Sequence, residues 1–415
     1  MEQRKLSRTI EKFLIEAPNF KKVDDLLQYV LHQIIGDEHI GISGGRIWKL
    51  NPAKDGYLLL DQIGDVTKID KGFELHVDKF PILFEISKRR TVTTTETNKY
   101  FKKKGILSYS VTGIGDRHKV VYKGKTIFLY QYMLAFNGNL IDDEFLYTLN
   151  IIGVTINSII RSKKIEKKAK DNISELEKAS EIQKSILPEH AYKFGNYELF
   201  GISIPDKIVG GDFFDYISIA ENNKLCVAIG DAASKGISAA AQALYISGAL
   251  KMGVTYDVGF TTLFKKIANL VNETFPDERF VTLFLCELYL DRKGLCVYVN
   301  AGHNSPFVMK GASDEIISLN STGSVLGPTP NQDYYLDSLY IEKGDTLILY
   351  TDGIVEATNE KFEFYGEEKL KNVISKFKGN TPEILCKKII EDVQKYSANG
   401  KYSDDRTLVV VKRVT

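Results

Sequence analysis

Leu225-Cys226-Val227-Ala228-Ile229-Gly230-Asp231 is an apolar run that ends on a carboxylate. A short unbroken apolar stretch of this kind reads as a buried strand, and the glycine before the aspartate lets the backbone pack closely. The same design recurs along the chain. Leu347-Ile348-Leu349-Tyr350 leads into Thr351-Asp352-Gly353, and Ser403-Asp404-Asp405-Arg406-Thr407 precedes Leu408-Val409-Val410-Val411. Gly210-Gly211-Asp212-Phe213-Phe214-Asp215 opens a fourth apolar stretch. A single aspartate beside a strand is ordinarily a solvated turn residue. Four from distant segments are harder to dismiss, because strand ends converge at a sheet edge. Clustered carboxylates raise one another's pKa, so such a pocket would ordinarily hold a cation. With oxygen donors and no thiolate or imidazole at ligand spacing, the expected cation is hard, magnesium or manganese.

Around these motifs, residues 190–415 alternate strands with helices. Strands are expected at Tyr197 to Ile204, Phe214 to Ile219 and Leu225 to Ile229, then an alanine-rich helix from Gly236 to Lys251 and a second from Thr261 to Phe275. Phe280 to Leu290 and Leu295 to Val299 read as a hairpin, followed by strands at Ser338 to Ile341 and Thr346 to Tyr350. Helices near 367–377 and 382–396 and a last strand at 407–413 complete the pattern. Strands, two helices, strands, two helices and a closing strand suggest a layered α+β sandwich rather than a doubly wound parallel sheet.

Upstream, residues 1–150 read as a separate mixed α/β domain. Val23, Leu26, Leu27, Val30, Leu31, Ile34 and Ile35 form a helical stripe, and two hairpin signals follow, around Pro52-Ala53-Lys54-Asp55-Gly56 and Lys123-Gly124-Lys125. The second turn contains Gly-Lys-Thr, but it lies between strands and lacks the first glycine of a phosphate-binding loop. From Asp142 to Leu187 the pattern is helical throughout. Its first part carries Phe145, Leu146, Leu149, Ile152, Ile156 and Ile159, expected to pack on the preceding domain. Its second part is polar, and in heptads it offers Ile165, Ala169, Leu176, Ala179 and Ile186, interrupted by Asn172 and Gln183. Residues 151–189 are therefore expected to form a helical linker, either a short dimeric coiled coil or a single exposed helix. Pro188 ends it.

The net charge of +1 leaves no electrostatic footprint for nucleic acid or an anionic membrane. No uncharged apolar run approaches the roughly 20 residues that span a bilayer. Cys226, Cys286, Cys296 and Cys386 are scattered, with no CxxC pair. The expectation is a cytoplasmic protein.

Residues 190–415 resemble the PPM/PP2C-type serine/threonine phosphatases of the bacterial SpoIIE/RsbU branch. The resemblance rests on Ile186-Leu187-Pro188, Val209 to Asp215, Gly230-Asp231 to Ala241, Asn300-Ala301-Gly302-His303-Asn304, Leu347 to Ala357 with Gly366, and Ser403 to Thr407, in matching order and spacing. It implies an α-β-β-α sandwich and two Mn2+ or Mg2+ ions. Asp231 would bridge them; Asp212 and the Ala232 backbone carbonyl would complete one site, and Asp352 and Asp404 the other. Asp215 and Glu356 belong to the motifs in supporting roles, and His303 shapes the sheet, contacts phosphate or acts as a general acid. The implied reaction is hydrolysis of a phosphoserine or phosphothreonine on a STAS-domain anti-sigma-factor antagonist, without the phosphate-gripping arginine of other PP2C enzymes. One departure stands in the loop after the bridging aspartate: Ala233-Ser234-Lys235-Gly236 has Ser234 where the branch usually has glycine. Residues 1–150 resemble a GAF sensory domain of unknown ligand by pattern alone, with PAS as the alternative. Together these imply a sensor-regulated phosphatase, dimeric through its linker. The rival reading is a catalytically silent module that senses a signal and sequesters a partner, and Ser234 is the feature that favours it.

Overall fold

The computed structural model describes residues 3–36, 42–65, 68–70, 72–95, 97, 99–138, 141–219, 223–275, 280–400 and 404–414. The chain divides into two compact units, Met1–Asp171 and Asn172–Thr415.

The first unit begins with α1 (Gln3–Glu16) and α2 (Val23–Ile35), followed by β1 (Ile42–Leu50), β2 (Gly56–Gly64), β3 (Glu74–His76), α3 (Ile82–Lys88), β4 (Thr91–Thr94), α4 (Lys99–Lys103), β5 (Tyr109–Tyr122) and β6 (Lys125–Gly138). The strands form one antiparallel sheet in the order β3-β2-β1-β6-β5-β4. Both faces are covered. On one, Leu27, Val30 and Leu31 of α2 pack with Ile47, Leu134 and Phe136 of the sheet and with Leu149, Ile152 and Ile156 from the start of α5 (Asp143–Ile186). On the other, Trp48, Leu129 and Met133 meet Leu83 and Ile86 of α3 and Phe101 of α4. The two expected hairpins are present as β1–β2 and β5–β6. The short elements β3, β4, α3 and α4 were invisible to periodicity, which needs more residues than they contain.

Helix α5 continues across the boundary between the units. Beyond its buried first turns it is largely exposed: Ile165, Ile173, Ile182 and Ile186 show 61, 48, 58 and 38% of their surface.

The second unit comprises β7 (Ala191–Phe194), β8 (Tyr197–Ile204), β9 (Phe213–Ile219), β10 (Lys224–Ala232), α6 (Ile237–Thr255), α7 (Phe260–Thr274), β11 (Val281–Tyr289), β12 (Leu295–Ala301), β13 (Phe307–Met309), β14 (Ile316–Ser318), β15 (Asp337–Tyr340), β16 (Thr346–Tyr350), α8 (Asp352–Val355), α9 (Gly366–Lys376), α10 (Pro382–Tyr396) and β17 (Arg406–Arg413). Its strands make two sheets, β15-β12-β11-β10-β9 and β14-β13-β16-β17-β8-β7. Their inner faces meet through Leu225, Val227, Phe284, Leu347, Leu349 and Val409, all fully buried. Helices α6 and α7 cover one outer face through Ile246, Leu250, Phe264 and Ile267. Helices α9 and α10 cover the other through Leu370, Ile374, Ile389 and Val393. The result is four layers, helix-sheet-sheet-helix. Strands covered on both sides need apolar residues at every position, which is why β10, β16 and β17 read as unbroken runs.

Candidate metal centre

Topology brings the four aspartates together. In the first sheet β9 and β10 are antiparallel neighbours, with Gly230 opposite Phe213, so Asp231 and Asp212 lie at one sheet edge. In the second, β16 and β17 pair antiparallel with Tyr350 opposite Leu408, which places Asp352 and the Asp404–Asp405 pair at one edge as well. The two edges meet. Thr351 Oγ1 donates to Asp212 Oδ2 at 2.7 Å, and Asp405 Oδ2 accepts from the Gly211 N–H at 2.6 Å.

The electrostatics are those of crowded anions. Burial, and then the charge of Asp231, hold the Asp212 carboxyl well above the usual range, against the opposing hydrogen bonds of Thr351 and Thr407. Burial and then Asp352 push Asp231 up to about 7. Asp352 is pushed up to about 6, by burial first, then by Glu356 and Asp404. Each of these groups is desolvated and repelled by its neighbours, the condition that a bound cation relieves. Close backbone approach supports the same reading: a Cβ on Gly211 would stand 2.9 Å from the Ala232 carbonyl oxygen, and one on Gly353 would collide with the Asp405 carbonyl.

Among the described residues, no three carboxylates, imidazoles or thiolates converge closely enough to grip a single ion as they stand. Lys235 Nζ pairs with Asp404 Oδ2 at 2.7 Å, so a side-chain ammonium neutralises this corner of the cluster. The donor set itself suits a hard cation, being entirely oxygen, anionic and half-desolvated.

The neighbouring motif residues take other parts. Asp405 accepts from the N–H groups of Asp206 (2.8 Å) and Gly211, fastening the loop that carries Asp212. Asp215, buried, is paired with Lys251 at 2.8 Å. Glu356 raises the Asp352 pKa from the adjoining turn. His303 is buried beneath the sheet, with Nδ1 2.9 Å from Thr282 Oγ1 and its N–H on Asn300 Oδ1, and burial pulls its pKa down to about 3. The imidazole is thus held towards its neutral form. Ser234 Oγ donates to Gln242 Oε1 of α6 at 3.1 Å, so the hydroxyl anchors the loop after Asp231. Ser403 lies outside the described residues.

Two contributors escaped sequence reading. Thr351 was quoted within its motif without a role, yet it joins the two sheet edges. Gln183, read as a polar position of a heptad seam, instead faces its own unit: Nε2 donates to Gly210 O at 2.7 Å and Oε1 accepts from the Gly210 N–H at 3.2 Å. Only its place just before Pro188, at a polar break in the stripe, marked it at all.

Residues 221–414 match the family model described as Stage II sporulation protein E (SpoIIE). The chain is 29% identical over 301 residues to Protein IcfG of Synechocystis sp., a match covering 63% of this chain and 46% of that one. It is 26% identical over 240 residues to the phosphoserine phosphatase RsbU of Bacillus subtilis, covering 58% of this chain and 70% of RsbU. The chain thus spans about half of the first of these relatives. In fold it is similar to the SiaA-PP2C domain of Pseudomonas aeruginosa, with a TM-score of 0.51 at 19% identity, covering 59% of this chain and 98% of that domain.

Proposed function

We propose that the chain, whose residues 221–414 match the SpoIIE family model, is a metal-dependent protein serine/threonine phosphatase governed by its N-terminal unit. The observation that carries this reading is the meeting of Asp212, Asp231, Asp352 and Asp404, from four separate segments, at one partly buried edge. Asp231 would be shared between two Mn2+ or Mg2+ ions, with Asp212 and the Ala232 carbonyl on one side and Asp352 and Asp404 on the other. Two such cations supply charge neutralisation at a phosphoryl group and a water acidic enough to attack it. The chain's own residues do the positioning. Thr351 orients Asp212, Asp405 holds the Gly210–Gly211 loop, and Ser234 ties the loop after Asp231 to α6. Asp404 must exchange Lys235 for metal, which makes that ion pair a built-in competitor.

The substrate class we infer is a phosphoserine or phosphothreonine on a STAS-domain antagonist within a partner-switching pathway in the cytoplasm. Its support is the sequence resemblance together with similarity to RsbU. We read residues 1–150 as a GAF-like sensor, 151–189 as the linker and 190–415 as the phosphatase domain. The exposed isoleucines of α5 support a homodimer through the linker. The bidentate contact of Gln183 with Gly210, two residues from Asp212, is the physical route by which the helix can act on the site.

The test is turnover of p-nitrophenyl phosphate by the full chain with and without Mn2+. Metal-dependent hydrolysis is expected. Its absence in a folded protein would favour the silent sensor or scaffold, the reading to which the Lys235–Asp404 pair gives some weight.

A further inference from the structure

Arg46 sits in the middle of β1 and is 4% exposed. A buried guanidinium ordinarily meets a carboxylate or a full set of acceptors, because an uncompensated buried cation is costly. Here only Nη1 is engaged, donating to Asn137 Oδ1 at 2.7 Å. Nε and Nη2 have no acceptor among the described residues. These two N–H groups form one edge of the guanidinium, the planar fork that matches the two oxygens of a carboxylate.

The surroundings offer no substitute. Cross-strand neighbours of Arg46 are Gln62 on β2 and Ala135 on β6. Ala135 has no side-chain acceptor. Gln62 is engaged on both atoms, its Oε1 accepting from the Ile69 N–H at 2.9 Å and its Nε2 donating to the Ile69 carbonyl at 2.8 Å. Asn137 uses its amide nitrogen on Ser43 Oγ. Burial lowers the Arg46 pKa to about 10, opposed by the Tyr100 phenol, so the group remains charged at neutral pH.

Arg46 lines a cavity whose walls are otherwise apolar or aromatic, among them Trp48, Phe80, Phe101, Ile106 and Met133, with no acidic residue among the described ones. The cavity measures about 40 Å³, room for about three water-sized groups. From the free fork, the dry walls and the size together, we propose that this pocket binds a small monocarboxylate with a short apolar tail, its two oxygens on Nε and Nη2 of Arg46 and its tail against Trp48 and Met133. The assignment is independent of the phosphatase reading, since it rests on residues of the first unit alone.

The pocket carries its own reporter, because Trp48 is the only tryptophan in the chain. The protein is titrated at constant ionic strength with sodium acetate, sodium propionate and the neutral isostere acetamide, reading tryptophan emission. The carboxylates are expected to give a saturable change and the amide to bind at least about tenfold more weakly, the discrimination that charge-assisted bonds provide. Arg46→Met is expected to weaken the carboxylate response by about tenfold or more on the same grounds. Equal binding of amide and carboxylate, an unchanged titration in Arg46→Met, or no response to either carboxylate up to on the order of 100 mM would each overturn the proposal. Should Arg46→Met fail to fold, the carboxylate-against-amide comparison on the unaltered protein decides the matter alone.

Discussion

The two units bury opposite charges in the same unfinished way. In the first, one guanidinium lies in an apolar pocket with two N–H groups unanswered. In the second, a group of carboxylates is packed so closely that burial and mutual repulsion hold Asp212, Asp231 and Asp352 above their ordinary pKa. Elsewhere the fold answers its buried charges from within: Asp215 has Lys251, and Asp345 has Lys310. The contrast teaches where to look for ligands. A charge that folding desolvates and leaves unmatched implies that the matching half arrives from outside. The sizes differ too. Four anions call for multivalent cations, whereas a single fork calls for one planar anion.

The severest test of this symmetry is Asp231→Asn. It removes the charge shared by both proposed ions and should lower metal-dependent turnover by more than about a hundredfold, with the fold retained by circular dichroism. Survival of more than about a tenth of the rate would break the two-metal reading. Proton competition gives the next effect. Asp231 and Asp352 have folded-state pKa values of about 7 and about 6, raised from 3.8. Between those limits the folded chain holds more protons than the unfolded one, so metal-free stability should rise as pH falls from 8 towards 5. The slope is at most about 1.4 kcal/mol per pH unit for each group. Mn2+ should therefore raise Tm more at pH 8 than at pH 5.5, because metal and protons relieve the same repulsion. A Tm increment independent of pH would show that these carboxylates do not bind the ion.

Gln183→Leu follows in size. It strips both hydrogen bonds from buried Gly210 at a cost of roughly 1–3 kcal/mol, and it should depress turnover more than a remote surface change of equal stability cost. Equal loss in both would make Gln183 merely structural. Smallest is Arg46→Met in the free chain. Removing an unmatched buried cation should leave stability unchanged or raise it by about 1 kcal/mol. A loss of several kcal/mol would mean that the fork is matched by something within the protein, and the contrast between the units would fail.

Much of this architecture was legible from one dimension. Strand-plus-aspartate motifs are local, and alternating segments of strand and helix repeat over enough residues to be counted, so the layers of the second unit and the convergence of Asp212, Asp231, Asp352 and Asp404 could be anticipated. What could not be read depends on three-dimensional pairing. Arg46 appears in sequence as one more basic residue in a hairpin strand; its isolation is created by Ala135 and an occupied Gln62, 89 and 16 positions away. Asp405 had no role in sequence beyond its motif, and only the fold sets its oxygens on the N–H groups of Asp206 and Gly211. Gln183 fitted a heptad equally well as an intermolecular or an intramolecular residue, and only the position of Gly210 distinguishes them.

The grip of Gln183 on Gly210 also sets a rule for how such chains can be rearranged. One added or lost residue upstream in α5 turns everything before it by about 100° relative to the amide, while seven restore the phase to within about 20°. If the N-terminal unit governs the site through this helix, as proposed above, sensors exchanged onto the phosphatase unit would be admissible only at certain linker lengths. The helix would then be a keyed coupling whose teeth are counted in residues, and the key a single glutamine.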